Sequence, residues 1–364
     1  MQNRTTKRIR SAIAVGTIAA TAMLGLAGCS GGPGGSKSDE VGVALIVKTT
    51  SNPFFVAMED GAKEAAEKAG VNLTIAAGKE DGDEDTQIKA IEDAIARGDQ
   101  GILITPNGNG VNDAIKKARD AGLYVIALDT PPDPADTVDI TFATDNFLAG
   151  QLIGQWTAVQ LDGKKATIAM LDLFDDKIVS VDYNRDQGFL DGLGIDTANA
   201  ELNGDEAPTG KYTGGAGGDY EIVGNEATQG AEDGGLSAME TLLSKNPNIN
   251  VVYTINEPAA YGAYQALQAA GKEKDVLLVS IDGGCAGVKN VADGVIGATA
   301  QQYPVKMAEL GVEAIAKLAT DGTKPSTSAG LDFFDTGSKL VTEKPVDGLD
   351  SITAADATDI CWGK

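Results

Sequence analysis

No histidine occurs anywhere in the 364 residues. That removes Ser-His-Asp and Cys-His catalysis outright and takes away the commonest zinc ligand. Aromatic side chains make up only 5% of the chain, and the abundance of Ala, Gly and Val suits helices packed over parallel strands. Bases are scarce: 29 Lys and Arg face 53 Asp and Glu, a formal net charge of −24. Such an acidic chain excludes nucleic acid as a partner, because phosphates need Lys and Arg. It equally excludes a peripheral grip on anionic lipid. No apolar run reaches the roughly 20 residues of a convincing transmembrane helix. Cysteine occurs three times, at positions 29, 285 and 361.

The first of these cysteines sits in an informative setting. Arg4, Lys7, Arg8 and Arg10 precede a small and apolar stretch, Ser11 to Leu26, which ends in Ala27-Gly28-Cys29. A basic segment, an apolar segment and small residues at a cleavage point make a secretory signal over residues 1–28. Leu-Ala-Gly-Cys resembles a bacterial lipobox, in which Cys29 is lipidated and becomes the new N-terminus. Residues 29–39 are then a Gly/Ser-rich tether that cannot pack a core. Without residues 1–28, which carry four bases and no acid, the charge becomes −28. The expected location is outside the cytoplasm, anchored to the cell membrane. There, Cys285 and Cys361 can form a disulfide pinning the C-terminal tail to the body; the alternative is two separate thiols.

From Glu40 onward short apolar runs alternate with helical-period segments. Val41–Val47 reads as a strand and Phe54–Ala69 as a helix. Strands Val71–Ala76, Gly101–Thr105 and Leu123–Leu128 follow, separated by helices Asp85–Arg97 and Val111–Ala121. After Thr141–Thr144 a second series begins with helix Phe147–Gln160 and strand Ala166–Leu171. It continues with helices Asp182–Leu193 and Thr228–Ser244, strand Asn250–Ile255 and helix Pro258–Ala270. Strands Val276–Ile281 and Ile296–Ala300 and helix Pro304–Ala319 close it. Between Asn203 and Gly218 an irregular Gly-rich segment reads as a surface loop. Continuous apolar strands separated by amphipathic helices predict an α/β protein with two doubly wound parallel-sheet lobes.

Ligands of open parallel sheets sit outside the carboxyl ends of the strands. That rule selects Lys48–Phe55, Thr105–Asn107, Asp129–Pro132, Asp172–Asp176, Asn256-Glu257 and Asp282-Gly283. The set is rich in Asn, Asp and Phe and poor in nucleophiles. Carboxylates and amides each bind several sugar hydroxyls, and an aromatic face covers a sugar's C–H surface. The acidic run Glu80–Asp85 lacks the distal Glu of a calcium loop and reads as a solvated helix start. No metal or cofactor is expected.

These residues also resemble a known family. Ser51-Asn52-Pro53-Phe54-Phe55 is similar to the first-strand signature of ribose-type periplasmic sugar-binding proteins, and Ile126-Ala127-Leu128-Asp129 to their strand-end acid. Asn184-Arg185-Asp186-Gln187-Gly188-Phe189 resembles their R-x-x-G-F segment. Asn256 opens Asn-Glu-Pro where that family has Asn-Asp, and Asp282-Gly283 and Gln302 match its last two ligand positions. The nearest resemblance is to the fructose-binding lipoproteins of bacterial fructose ABC importers, which share IVKTTSNPFF, AAGKEDGDEDTQ, ALDTPPDPADTVD and YTINEPAA. The resemblance implies a type I periplasmic-binding-protein fold, with an N-terminal lobe of residues 40–144 plus 303–327 and a C-terminal lobe of 145–302 plus 328–342. Hinge strands would cross near Thr144-Asp145, Gln302-Tyr303 and Ser326–Leu331, leaving 343–364 as a tail.

It also implies that Phe54 and Phe55 stack on a monosaccharide while Asn52, Asp129, Arg185, Asn256, Asp282 and Gln302 bind its hydroxyls. Thr130 stands where ribose binders carry an Arg, and Lys48 replaces a small polar residue. Both belong to the candidate site, and both point away from ribose itself. The implied partners are an ABC permease and its ATPase, with the binding protein itself a monomer and not an enzyme. A receptor presenting sugar to a chemosensor or sensor kinase is the alternative. A glycosidase using Asp129 and Asp282 across a cleft is the enzymatic one. A transcriptional regulator of this fold would need an N-terminal helix-turn-helix, for which no segment is present.

Overall fold

The computed structural model describes residues 40–363; Cys29 and its flanks lie outside them. The N-terminal lobe opens with β1 (Val41–Val47), α1 (Pro53–Ala69), β2 (Val71–Ala77) and α2 (Glu84–Arg97). It continues through β3 (Gly101–Ile104), α3 (Asn112–Asp120), β4 (Tyr124–Leu128) and β5 (Ile140–Ala143). Gly70 and Gly98 end α1 and α2 in the left-handed conformation, which glycine adopts without a Cβ penalty.

The chain then crosses to the second lobe. There it forms α4 (Asn146–Leu161), β6 (Ala166–Asp172), α5 (Ser180–Leu193), β7 (Thr209–Tyr212), β8 (Gly218–Ala227) and α6 (Glu232–Lys245). Next come β9 (Val251–Thr254), α7 (Glu257–Ala269), β10 (Leu277–Asp282), α8 (Cys285–Ala292) and β11 (Ala298–Gln301). Helix α9 (Pro304–Asp321) returns to the first lobe, where Met307, Ala308, Val312 and Ile315 join Phe54 and Leu45 in one apolar core. The chain ends with β12 (Phe334–Asp335), β13 (Lys339–Val341), β14 (Ser351–Ile352) and the short α10 (Ala354–Ala357).

Two sheets result. The first has strand order β12-β5-β4-β3-β1-β2 and the second β14-β13-β11-β10-β9-β6-β8-β7. Pairing is parallel except for β11 with β13 and the β7–β8 hairpin. Both central strand sets are buried on two faces, so their residues are apolar almost without interruption.

Three expectations need correction. Asn203–Gly218 is not wholly irregular: it carries β7, and the strand β8 follows directly from it. The third crossover does not lie at Ser326–Leu331. Phe334 and Asp335 still pair with Phe142 and Ala143 of the first sheet, so the chain changes lobe between Asp335 and Lys339. Residues 328–335 therefore belong with the N-terminal lobe. Nor is 343–364 a mere tail, because β14 and α10 extend the second lobe.

Candidate functional site

Asp129 and Asp282 stand directly after β4 and at the end of β10, and both have positive φ, 64° and 149°. Such backbone costs a non-glycine residue on the order of 1–3 kcal/mol and persists where surrounding structure imposes it. At Asp282 the restraint is visible. Its Oδ2 accepts from the Glu257 backbone N–H at 3.2 Å. The Glu257 carboxylate in turn accepts from the N–H groups of Gly283 and Gly284 at 3.0 and 3.1 Å and from Thr299 Oγ1 at 2.9 Å. Glu257 thus braces the turn that aims Asp282. Burial and the neighbouring Asp282 push its carboxyl up to about 8, and burial pushes Asp282 up to about 7 against the pull of Arg185.

Arg185 is the hub. It is buried, and its Nε donates to Asn146 Oδ1 at 2.8 Å, Nη1 to the Ile255 carbonyl at 2.9 Å and Nη2 to Gln302 Oε1 at 3.0 Å. Gln302 Nε2 passes the chain on to Asp282 Oδ1 at 3.0 Å. Arg185 Nη2 also lies 3.7 Å from Asp129 Oδ1, so one guanidinium links an acid from each lobe. Its position is set by the α4–α5 contact. A Cβ at Gly150 would fall 2.1 Å from the Arg185 carbonyl, so only glycine lets α5 approach this closely.

Asn52 and Asn256 are helix caps as well as cleft residues. Asn52 Oδ1 accepts from Phe54 N at 2.9 Å and Asn256 Oδ1 from Ala259 N at 3.0 Å. The Asn256 amide then donates to the Gly230 carbonyl at 3.0 Å. Thr130 Oγ1 donates to Asp129 Oδ2 at 2.8 Å, and Lys48 is buried. Phe54 and Phe55 meet edge to face at 5.3 Å and are both buried.

Two residues go beyond the sequence reading. Asp81, from the acidic run read as solvated, points inward: a Cβ at Gly230 of the opposite lobe would lie 3.0 Å from its Oδ2. Burial pushes its carboxyl up to about 6, opposed by Lys48 and reinforced by Asp129. Asp83, two positions on, is the true helix start, capping α2 through Thr86 N at 3.1 Å. The second residue is Trp362, whose Nε1 donates to the Gln302 carbonyl at 3.0 Å and whose ring meets Phe54 edge-on at 5.4 Å.

The lobes are closed on one another. Ser180 Oγ donates to the Pro131 carbonyl at 2.6 Å and Lys177 Nζ to the Gly82 carbonyl at 2.8 Å, both from the second lobe to the first. Between them, Asp129 Oδ1 and Asp81 Oδ1 are buried with no hydrogen-bond partner. Among the described residues no group of three or more acidic or cysteine side chains is placed to hold a metal ion. The arrangement is that of a two-lobed α/β binder whose interlobe groups suit a small polar ligand rich in hydroxyls.

The chain belongs to the periplasmic binding protein domain family, which it matches over residues 43–324. It is 30% identical to the ribose import binding protein of Salmonella typhimurium over 292 residues, 80% of this chain and 88% of that protein. It is also 30% identical to the galactofuranose-binding protein of Escherichia coli over 295 residues, 78% of this chain and 85% of that one. Among solved structures, an ABC transporter solute-binding protein of Actinobacillus succinogenes with bound D-allose superimposes with a TM-score of 0.69. That structure is 25% identical, over 84% of this chain and 98% of its own.

Proposed function

We propose that this protein is the monosaccharide-binding component of a carbohydrate ABC importer, with fructose as its first ligand and ribose or another pentose or hexose next. The buried Asp129 and the half-buried Asp81, each with one buried oxygen lacking a hydrogen-bond partner, carry the reading. Sugar hydroxyls donate to such oxygens, and a site left with unpaired buried acceptors discriminates strongly against analogues lacking the matching hydroxyl. The relatives' names, ribose and galactofuranose binders, support a monosaccharide. Fructose rests on the segments shared with fructose-binding lipoproteins, and on Lys48 and Asp81, which add a donor and an acceptor as a hydroxyl-rich hexose demands.

In this reading Asn52, Asp129 and Thr130 hold the sugar from the first lobe, and Arg185, Asn256, Asp282 and Gln302 hold it from the second. Phe54 and Phe55 cover its ring. Closure follows because ligand contacts both lobes only when they meet, and the permease reads the closed form. Calorimetric titration against fructose, ribose, glucose, galactose and xylose tests this, with the tightest binding expected for fructose. Heat from none of the five would refute the reading. Lipidated Cys29 would hold the protein on the extracytoplasmic side of the cell membrane, since two or more acyl chains suffice for stable anchoring. Cys29→Ser should move it into the soluble fraction of lysed cells, and retention with the membranes would exclude the anchor.

A further inference from the structure

Residue 362 is shared between the lobes. Its backbone belongs to the second: Cys285 and Cys361 are joined by a disulfide with Cα atoms 4.9 Å apart, Cys285 N donates to the Trp362 carbonyl at 2.9 Å, and Gly284 and Trp362 form a β-bridge. Cys361 packs in the core of the second lobe with Val288, Ala354 and Ala357. Its ring belongs to the first: Trp362 is buried in the same apolar cluster as Phe54, Phe55 and Met58. Its indole N–H ends on Gln302, in the crossover between β11 and α9. The ring also walls a cavity of about 90 Å³ between Asn52 and Pro53 on one side and Tyr261 and Asp282 on the other.

We infer that Trp362 is a positioning residue for the ligand, a disulfide-anchored tie that holds Phe54 in place and stabilises the closed arrangement of the lobes. The family match ends at residue 324, so this tie is built from sequence outside the matched segment. Opening the lobes by rotation at the crossovers carries the backbone of residue 362 with the second lobe and draws its ring out of the first lobe's core. Exposing an indole and losing its edge contact with Phe54 opposes that motion. The apparent affinity of a ligand that needs the closed form scales with the fraction of protein in that form, so the tie tightens binding and slows release.

The inference rests on the monosaccharide reading for its binding test, and a second measurement frees it from that dependence. Fructose binding to W362A should be weaker by about tenfold to a hundredfold, with most of the change in the dissociation rate. W362F, which keeps a ring against Phe54 and loses the N–H to Gln302, should fall between. The double variant C285S/C361S should move in the same direction. The chain has two tryptophans, and Trp156 is fully buried in the second lobe with its N–H on the Lys344 carbonyl. A fructose-dependent change in tryptophan emission should therefore be present in the wild type and lost in W362F, which a purely structural role would not produce. Without sugar, small-angle scattering should show W362A more extended than the wild type. Wild-type dissociation from folded W362A, or an emission change undiminished in W362F, would overturn the tie. Should W362A not fold, the dissociation rate and emission of W362F decide. If the wild type binds no monosaccharide, the sugar reading fails; the tie then stands or falls on the scattering comparison of W362F with the wild type.

Discussion

Arg185→Met should abolish monosaccharide binding and lower the melting temperature together. The guanidinium has hydrogen bonds to Asn146, the Ile255 carbonyl and Gln302, and lies 3.7 Å from Asp129. Methionine conserves the apolar stem and leaves Asp129 and Asp282, acids of opposite lobes that repel one another, with no buried cation between them. Removing one partner of a buried charge pair costs about 3–5 kcal/mol, and the same loss in a ligand contact is about 10²–10⁴ in affinity. Arg185→Lys should recover little of this, since a point charge cannot hold three separate acceptors in a fixed fork. Thermal melts with and without fructose check both effects. The wild type gains stability with sugar by mass action, and the variant should melt earlier and show no gain. A sugar-dependent shift that survives in Arg185→Met would remove Arg185 from the site.

The parts of this site that the sequence makes legible are those fixed by local rules. Asp129, Asn256 and Asp282 can be located because ligand groups gather at the carboxyl ends of parallel strands, and Asn52 because it stands just ahead of a Pro-started helix. What local rules miss is set by tertiary contact. Asp81 and Asp83 are two acids of one run, and only the opposite lobe's Gly230 distinguishes the inward one from the cap. Glu257 looks like an ordinary first-turn acid of a helix, which suits the helix dipole. Its bracing of Gly283 and Gly284 depends on a neighbouring strand 26 residues away. The β8 segment, GDYEIVGNEA, buries only Tyr220 and Ile222, and a register shift against β6 just before the second glycine at 224 hides its period. The misplaced third crossover has a similar origin: β12 is two residues long, too short to announce itself, yet it keeps eight further residues in the first lobe. Trp362 is the extreme case, a residue near the end of the sequence whose importance comes wholly from a disulfide and a ring contact far back along the chain.

Stability should fall as pH rises from about 4 to about 8, the reverse of the usual acid denaturation. Behind the cleft, Asp172 at the end of β6, Asp182 and Asp186 on α5 and Glu206 are all buried. Asp182 is held by the N–H groups of Leu173 and Phe174 at 2.9 and 3.1 Å, and Asp172 Oδ2 accepts from Asn225 at 2.7 Å. No such donors reach Asp172 Oδ1 or Asp186 Oδ2. Burial, reinforced by Asp182, pushes Asp172 up to about 8, and burial alone pushes Asp182 up to about 6. Burial, reinforced by Asp172, pushes Asp186 well above the ordinary carboxylate range.

The sign follows from proton counting. In the unfolded chain these acids lose their protons near pH 4, whereas in the folded protein they keep them to higher pH. The folded state therefore binds more protons across the interval, and its advantage is complete below the unfolded values and is lost as pH passes through the folded ones. Asp186→Asn keeps the shape, supplies a permanent N–H toward Asp172 and removes one of the facing acids. It should leave the melting temperature near pH 4 almost unchanged and raise it at pH 8 by roughly 5–10 °C, the equivalent of about 3 kcal/mol. Glu257 and Asp282, also raised, keep part of the slope in this variant, so Glu257→Gln added to it should flatten the profile further. Melting curves of the sugar-free proteins at half-unit pH steps test the account; a wild type that gains stability between pH 4 and 8, or an Asp186→Asn variant with an undiminished slope, would show that the cluster is compensated by charges elsewhere.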